Sequence, residues 1–163
     1  MSLLVYFLYK AFFLKRQRKE IETMANTMEL EINGEVYAFK AGFAFIREAE
    51  PLKKQKQNGT EQNVGLNYIL GALYDGDVDM LLMALDLMNK GQTPRVTKAE
   101  LESYIEDCDD IEQMFKDVMD FLQDANCTRT KARKFYKMVQ EMEERQKQET
   151  LKTSPGENST DNA

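Results

Sequence analysis

The sequence predicts an α+β protein in which an N-terminal β-hairpin packs on a mainly helical domain of about six helices. Apolar and polar residues alternate on both sides of Asn33-Gly34, the period of two half-buried strands joined by a tight turn. Downstream, apolar residues recur at three- and four-residue intervals, the period of amphipathic helices. Only three prolines and eight glycines interrupt the 163 residues, so helices have room to run. A chain of this length can build one domain with a real core.

In the hairpin, over 28–40, Met28, Leu30 and Ile32 alternate with Glu29 and Glu31. Asn33-Gly34 tolerates the positive φ angles of a type I′ turn. A two-residue loop sets Leu30 opposite Tyr37 and Met28 opposite Phe39, with Glu29, Glu31 and Lys40 pointing away. A lone hairpin is marginal in water, so the apolar side must pack on helices.

A short helix is expected over 42–49, with Phe43 and Ile46 on one face and Pro51 ending it. The polar stretch 53–63 reads as an exposed loop broken at Asn58-Gly59. Leu66, Ile69, Leu70, Leu73 and Tyr74 mark the next helix, and Asp75-Gly76-Asp77 breaks it. Val78, Leu81, Leu82, Leu85 and Met88 mark another, closed by Gly91 and Pro94. Thr97-Lys98-Ala99-Glu100 is a capping box, followed by a buried face of Leu101, Tyr104 and Ile105. Ile111, Met114, Phe115, Val118 and Leu122 form the fifth helix, ending near Asn126. Ala132, Phe135, Tyr136, Val139 and Met142 form the last. Residues 146–163 are polar and end in SPGENSTDNA, the composition of a disordered tail.

Residues 1–14 are apolar apart from Ser2 and Lys10, and the basic run KRQRK follows. A spanning helix needs about 20 apolar residues. A secretory leader places its positive charge before the apolar stretch, the reverse of this order. Three readings stand for residues 1–23. Translation starts instead at Met24, since Lys19-Glu20 can be encoded as AAGGAG, a ribosome-binding core. Alternatively the segment is a short membrane anchor, or an amphipathic helix docked on the domain.

Net charge is -6, and residues 1–23 contribute +3, which leaves -9 on the remainder. That balance repels phosphate backbones and argues against nucleic acid as the main partner. The chain has no histidine, which removes the commonest general base and every Ser-His or Cys-His nucleophile pair. Cys108 and Cys127 have neither metal nor redox spacing. Asp75, Asp77 and Asp79 open like a calcium loop, but the sixth position is Met80 where glycine is needed and the twelfth is Asp86. Asp107, Asp109, Asp110 and Glu112 form a second acidic patch. Both patches are better read as helix caps and solvated surface. No glycine-rich phosphate loop is present. Arg129, Lys131, Arg133, Lys134 and Lys137 surround Phe135 and Tyr136, a run that reads as the solvated face of an amphipathic helix ahead of a nucleic-acid site. No catalytic residue, metal ligand or cofactor is expected, and the chain is read as a protein that binds another protein and is not an enzyme.

The run ELEINGEVYAFKAGFAFIREAE, over 29–50, resembles the N-terminal signature of tail assembly chaperones of long-tailed (siphovirus-type) phages of Gram-positive bacteria. GLNYILGALYDGDVDMLLMAL and SYIEDCDDIEQMFKDVMDFL resemble the helix pairs that follow in that family, so the likeness covers roughly 28–140. Residues 1–23 are foreign to the pattern. The resemblance implies a chaperone-like domain over 24–145 in a helper of the host bacterial cytoplasm, not retained in the virion. Its partner would be the tape-measure protein, kept soluble until tube subunits polymerise around it. Further implied partners are a longer form of the chain made by ribosomal frameshifting, and the chain itself as a homo-oligomer. No matched set of binding residues comes with the resemblance. Phe43, Phe45, Phe135 and Tyr136 are the candidates, each weighed against a place in the core. The competing readings are a small membrane-tethered adaptor anchored by residues 1–14, and a DNA-binding regulator acting through the 129–137 helix.

Overall fold

In the computed structural model, which describes residues 26–153, the chain begins with the expected hairpin. The extension 1–23 and the last ten residues of the expected tail lie outside the described residues. Strand β1 (Thr27–Ile32) pairs antiparallel with β2 (Glu35–Lys40), placing Leu30 opposite Tyr37 and Met28 opposite Phe39. Asn33 and Gly34 take φ values of 55° and 80°, which the turn requires. Ile32, Tyr37 and Phe39 are buried, while Glu29, Glu31 and Lys40 are exposed.

Helix α1 (Phe43–Ala49) forms where expected but turns a different face inward. Phe45 and Ala49 are fully buried, Ile46 is half-buried, and Phe43 is 72% exposed. In a helix of seven residues two apolar faces compete, and the i, i+4 pair Phe45 and Ala49 meets the neighbouring helices. A 3₁₀ turn, Glu50–Leu52, follows with Pro51 in its first turn.

The stretch expected as a loop is a second hairpin. Strand β3 (Lys54–Gln57) pairs antiparallel with β4 (Thr60–Asn63), and Asn58 and Gly59 turn between them with φ of 51° and 79°. The Val64 amide donates to the Lys53 carbonyl at 2.8 Å and closes its base. Every residue of this ribbon is exposed. It carries no apolar alternation, so Asn58-Gly59 was its only sequence signal.

Five helices complete the fold: α2 (Gly65–Tyr74), α3 (Val78–Asn89), α4 (Lys98–Glu106), α5 (Ile111–Asp124) and α6 (Arg129–Thr153). Helix α2 is the central element, burying Leu66, Ile69, Leu70 and Leu73 and packing on α1, α3, α5 and α6. Burying each such side chain contributes about 1.5–3 kcal/mol. Gly65 is required by this packing, because a Cβ there would lie 1.8 Å from the Ala49 carbonyl oxygen. The buried face of α3 is Met80, Leu81, Ala84, Leu85 and Met88, whereas Val78, expected in it, is 47% exposed. Strand β2 packs on α3 and β1 on α4, which seats the first hairpin on the helices.

Capping is local and polar. Asp77 accepts from the Met80 amide and Asp110 from the Gln113 amide, so one residue of each acidic patch is a helix cap. The Thr97 hydroxyl accepts from the Glu100 amide, and the Glu100 carboxylate accepts from the Thr97 amide. Hydrogen bonds from Thr97 hold the Glu100 carboxyl below its ordinary range. A depressed folded-state pKa means this contribution is present at neutral pH and lost as pH falls through that value.

Helix α6 is longer than expected. It runs through Gln146 to Thr153, so the start of the expected disordered tail is helical. The segment is polar but made largely of good helix formers, and Pro155 and Gly156 are the first breakers.

Candidate partner-binding surfaces

Two helices build the first surface. Tyr74 at the end of α2 meets Phe135 and Tyr136 of α6 in edge-to-face contacts, each with ring centroids 6.4 Å apart. Phe135 and Tyr136 make the same contact with each other, closing a triangle of rings. The Tyr74 hydroxyl donates to Glu143, one turn beyond Val139. That hydrogen bond raises the Tyr74 pKa, and burial raises that of Tyr136. Phe135 and Tyr136 are half-buried, but Tyr74, Met138 and Met142 are 42%, 48% and 46% exposed. Helix α6 thus keeps an aromatic foot in the core and leaves two flexible, polarizable side chains facing outward.

The basic run of α6 is largely engaged. Lys131 pairs with Glu50 of the 3₁₀ turn, Arg133 with Asp124 at 3.2 Å and Lys137 with Glu141 at 4.0 Å. Arg129 donates to the Asn126 side chain at 3.1 Å. Lys131 and Arg133 thereby tie α6 to the 3₁₀ turn and to α5, while Lys137 pairs within α6 itself.

The second surface is an open groove of about 930 Å³ beside the first hairpin. Thr27, Lys40, Phe43, Ile46 and Lys90 line it, together with Asn126 and Cys127 of the α5–α6 link. Phe43 is its exposed apolar rim. A third, smaller cleft of about 230 Å³ lies between β1, α4 and α5. Met28, Leu30, Met114 and Val118 line it beside Asp109, Asp110 and Asp117.

The four candidate residues therefore divide. Phe135 and Tyr136 come together, Phe43 stands apart on the groove, and Phe45 is a fully buried core residue with no surface to offer. The sequence reasoning missed Met138 as a surface residue. It also placed Tyr74 in a buried stripe and Met142 in the apolar series of α6, although both are partly exposed. The end of α2 reaches along α6 as far as Glu143 through the Tyr74 hydroxyl, yet Met138 and Met142 stay turned to solvent.

Among the described residues, no helix is long and apolar enough to cross a membrane, and no group of three or more Cys, Asp or Glu could hold a metal ion. The family model described as phage tail assembly chaperone protein, TAC, matches residues 29–137, more than half of the chain. The chain belongs to the phage tail assembly chaperones. The matched span runs from β1 into α6, so both hairpins, all three surfaces and the pair Phe135–Tyr136 fall largely within it. Met138 and Met142 lie just beyond its end. No curated protein and no solved structure matches the chain.

Proposed function

We propose that this chaperone binds the tape-measure protein and keeps it soluble during tail assembly, using the face formed by Tyr74, Tyr136, Met138 and Met142. The observation that supports this reading is the pair of outward methionines beside the ring triangle, in a chain belonging to a tail assembly family. A long helical client must hide its apolar stripe until tube subunits surround it. A helix-on-groove contact does this without any catalytic group. Methionines adapt to the many slightly different stripes of such a client. The net charge of -6 keeps a coated complex dispersed. On this reading the protein works in the cytoplasm of an infected Gram-positive host and leaves before the virion is complete. A longer frameshifted form would share the same face.

Co-expression of the full chain with the tape-measure protein of the same phage tests the proposal. The client is expected to stay soluble and to co-purify. Replacing Met138 and Met142 together by Glu should release it, with affinity down at least about tenfold, as for loss of interface anchors. If the client precipitates as it does alone, or if the double variant retains it fully, the proposal fails.

A further inference from the structure

Capping accounts for only part of the acidic character around the start of α5. Asp110 caps the helix, whereas Asp109 and Asp117 stand on the rim of the smaller cleft. Beneath them the cleft is lined by Met28 and Leu30 of β1 and by Met114 and Val118 of α5. At about 230 Å³ it is below the size of small-molecule pockets, roughly 300–1,000 Å³, and suits one large side chain. Met28 and Met114 let its floor adjust to the shape of that side chain. No Lys or Arg lines the cleft.

The same charge continues along α5. Asp117, Asp120 and Asp124 recur at helical spacing on one exposed face, and Asp110 leads into it from the cap. At 1.5 Å per residue, the row from Asp110 to Asp124 is about 21 Å long. Its far end meets α6, where Asp124 pairs with Arg133 at 3.2 Å, and Asp120 pairs with Lys116 at 3.3 Å. Both pairs are exposed, so neither holds its carboxylate firmly against a competing cation.

An apolar slot continued by a row of carboxylates fits a segment with one large apolar residue beside several Lys or Arg. We propose that the cleft and the acidic face of α5 form a second docking surface for the tape-measure client, and that this surface takes a cationic segment of it. A large aliphatic or aromatic side chain enters the cleft, and the flanking cations pair with Asp109, Asp117 and Asp120. This rests on the client reading above and adds to it the charge of the segment that is recognised. Charge complementarity selects the occupant, because an acidic segment would set like charges together on the rim. The α6 face does not make that choice, since rings and methionines adapt to any apolar stripe. The two surfaces are joined, as α5 packs on α6 and Arg133 ties them together. Apolar capture by α6 and charge selection by α5 therefore act on one chain, and the linked contacts reinforce each other.

The two cysteines report occupancy without any substitution. Cys108 lines the cleft and is half-buried, whereas Cys127 lines the groove beside the first hairpin and is exposed. Iodoacetamide alkylation of the full chain, alone and co-purified with its client, gives the rate at each thiol by mass spectrometry. In the complex Cys108 should react at least about tenfold more slowly, because it is reached only when the segment lets go, and Cys127 at an unchanged rate. Two double variants separate this surface from net charge. Asp109→Asn with Asp117→Asn neutralises the rim, and Glu29→Gln with Glu31→Gln makes the same change in charge on the outward face of β1. All four positions are exposed, so the thermal midpoint of each variant should match that of the parent chain. The rim variant should lose client affinity by about tenfold at low salt and most of its salt dependence, while the β1 variant stays within about twofold.

Equal Cys108 rates with and without the retained client overturn the proposal and leave the α6 face standing. If both rates are slow, the cleft is already filled by the chain's own residues or by a second copy. Protection of Cys127 in place of Cys108 puts the client in the groove and also overturns it. So do equal losses from the two double variants, which would mean that net charge alone attracts the client. If Met138→Glu with Met142→Glu retains the client while Cys108 is protected, the α6 face falls and the α5 surface stands. If the parent chain retains no client, both readings fall together.

Discussion

The two hairpins share a turn and differ in almost everything else. Asn33-Gly34 and Asn58-Gly59 adopt nearly the same φ pair, 55° and 80° against 51° and 79°. Beyond the turn, β1 and β2 place Met28, Leu30, Ile32, Tyr37 and Phe39 on one face, and the helices cover it. The strands β3 and β4 read Lys-Gln-Lys-Gln and Thr-Glu-Gln-Asn, with no apolar residue and no buried position. Turn chemistry therefore decides whether a hairpin forms, and side-chain pattern decides whether the fold depends on it. The first hairpin should be coupled to global unfolding, whereas the second should open alone.

The strongest way to break this contrast is Phe39→Ala. Phe39 is fully buried between the hairpin and the helices, and its truncation should cost about 3–5 kcal/mol. Against a domain stability of roughly 5–15 kcal/mol, that brings the protein close to unfolding at physiological temperature. Urea denaturation measures it directly, and a loss under about 1 kcal/mol would mean that the hairpin is not part of the cooperative core. Single substitutions in β3 or β4 should stay within about 0.5 kcal/mol.

Next in size is the polar tie that fastens the first hairpin. Asn89 is fully buried at the end of α3. Its amide donates to the Ala38 carbonyl at 2.8 Å and to that of Pro94 at 3.3 Å. Its side-chain oxygen accepts from the Val96 amide at 2.8 Å and from Arg95 at 2.9 Å. Asn89→Ala leaves several of these groups unpaired and should cost about 3 kcal/mol, since each buried orphan costs about 1–3. Hydrogen exchange should quicken first at the Val96 amide. Unchanged exchange there would remove Asn89 from this role. The second hairpin has no counterpart to this residue.

Gly34→Ala and Gly59→Ala apply the same strain to both turns. Neither glycine has an atom within 4 Å of a built Cβ, so only the left-handed backbone is at issue. Each substitution should strain its own turn by about 1–2 kcal/mol. For Gly34 the cost should appear in the urea midpoint of the whole domain. For Gly59 it should appear only as faster exchange in 54–63, with the midpoint unmoved. Equal shifts in midpoint would end the distinction between the two ribbons.

The register of the first hairpin, the capping box at Thr97 and the periods of α2, α3 and α5 were legible because each rests on a strong local rule. The second hairpin was missed because apolar alternation was required as well as a turn, and a solvent-exposed ribbon has none. The inward face of α1 was misassigned because two turns of helix cannot choose between Phe43 with Ile46 and Phe45 with Ala49 without knowing what packs on them. Polarity after Gln146 was taken for disorder, although helix propensity continues to Thr153. For the candidate surfaces, Phe135 and Tyr136 were found but the methionines beyond them were not. Exposure along α6 depends on where α2 and α5 end, which is a tertiary fact. Asn89 offered one faint signal, an amide on the Leu81–Leu85–Met88 stripe, where a polar residue needs buried partners.

The smallest expected effect concerns the ion pair within the second hairpin, Lys54 with Glu61 at 3.6 Å. Both side chains are more than half exposed, at 60% and 56%, so solvent screens most of the attraction. The pair also spans a ribbon with no hydrophobic face, so little else holds these strands together. Glu61→Gln should therefore leave global stability within about 0.3 kcal/mol, near the lower end for exposed pairs. It should still shift the local opening of 54–63, which native-state hydrogen exchange can read at low denaturant. Raising the salt concentration should reproduce that change in the parent chain and have almost no further effect in the variant. If Glu61→Gln instead lowers the urea midpoint as much as Gly34→Ala does, the exposed ribbon is fastened to the core after all. The contrast between the hairpins would then lie in their composition and not in their coupling.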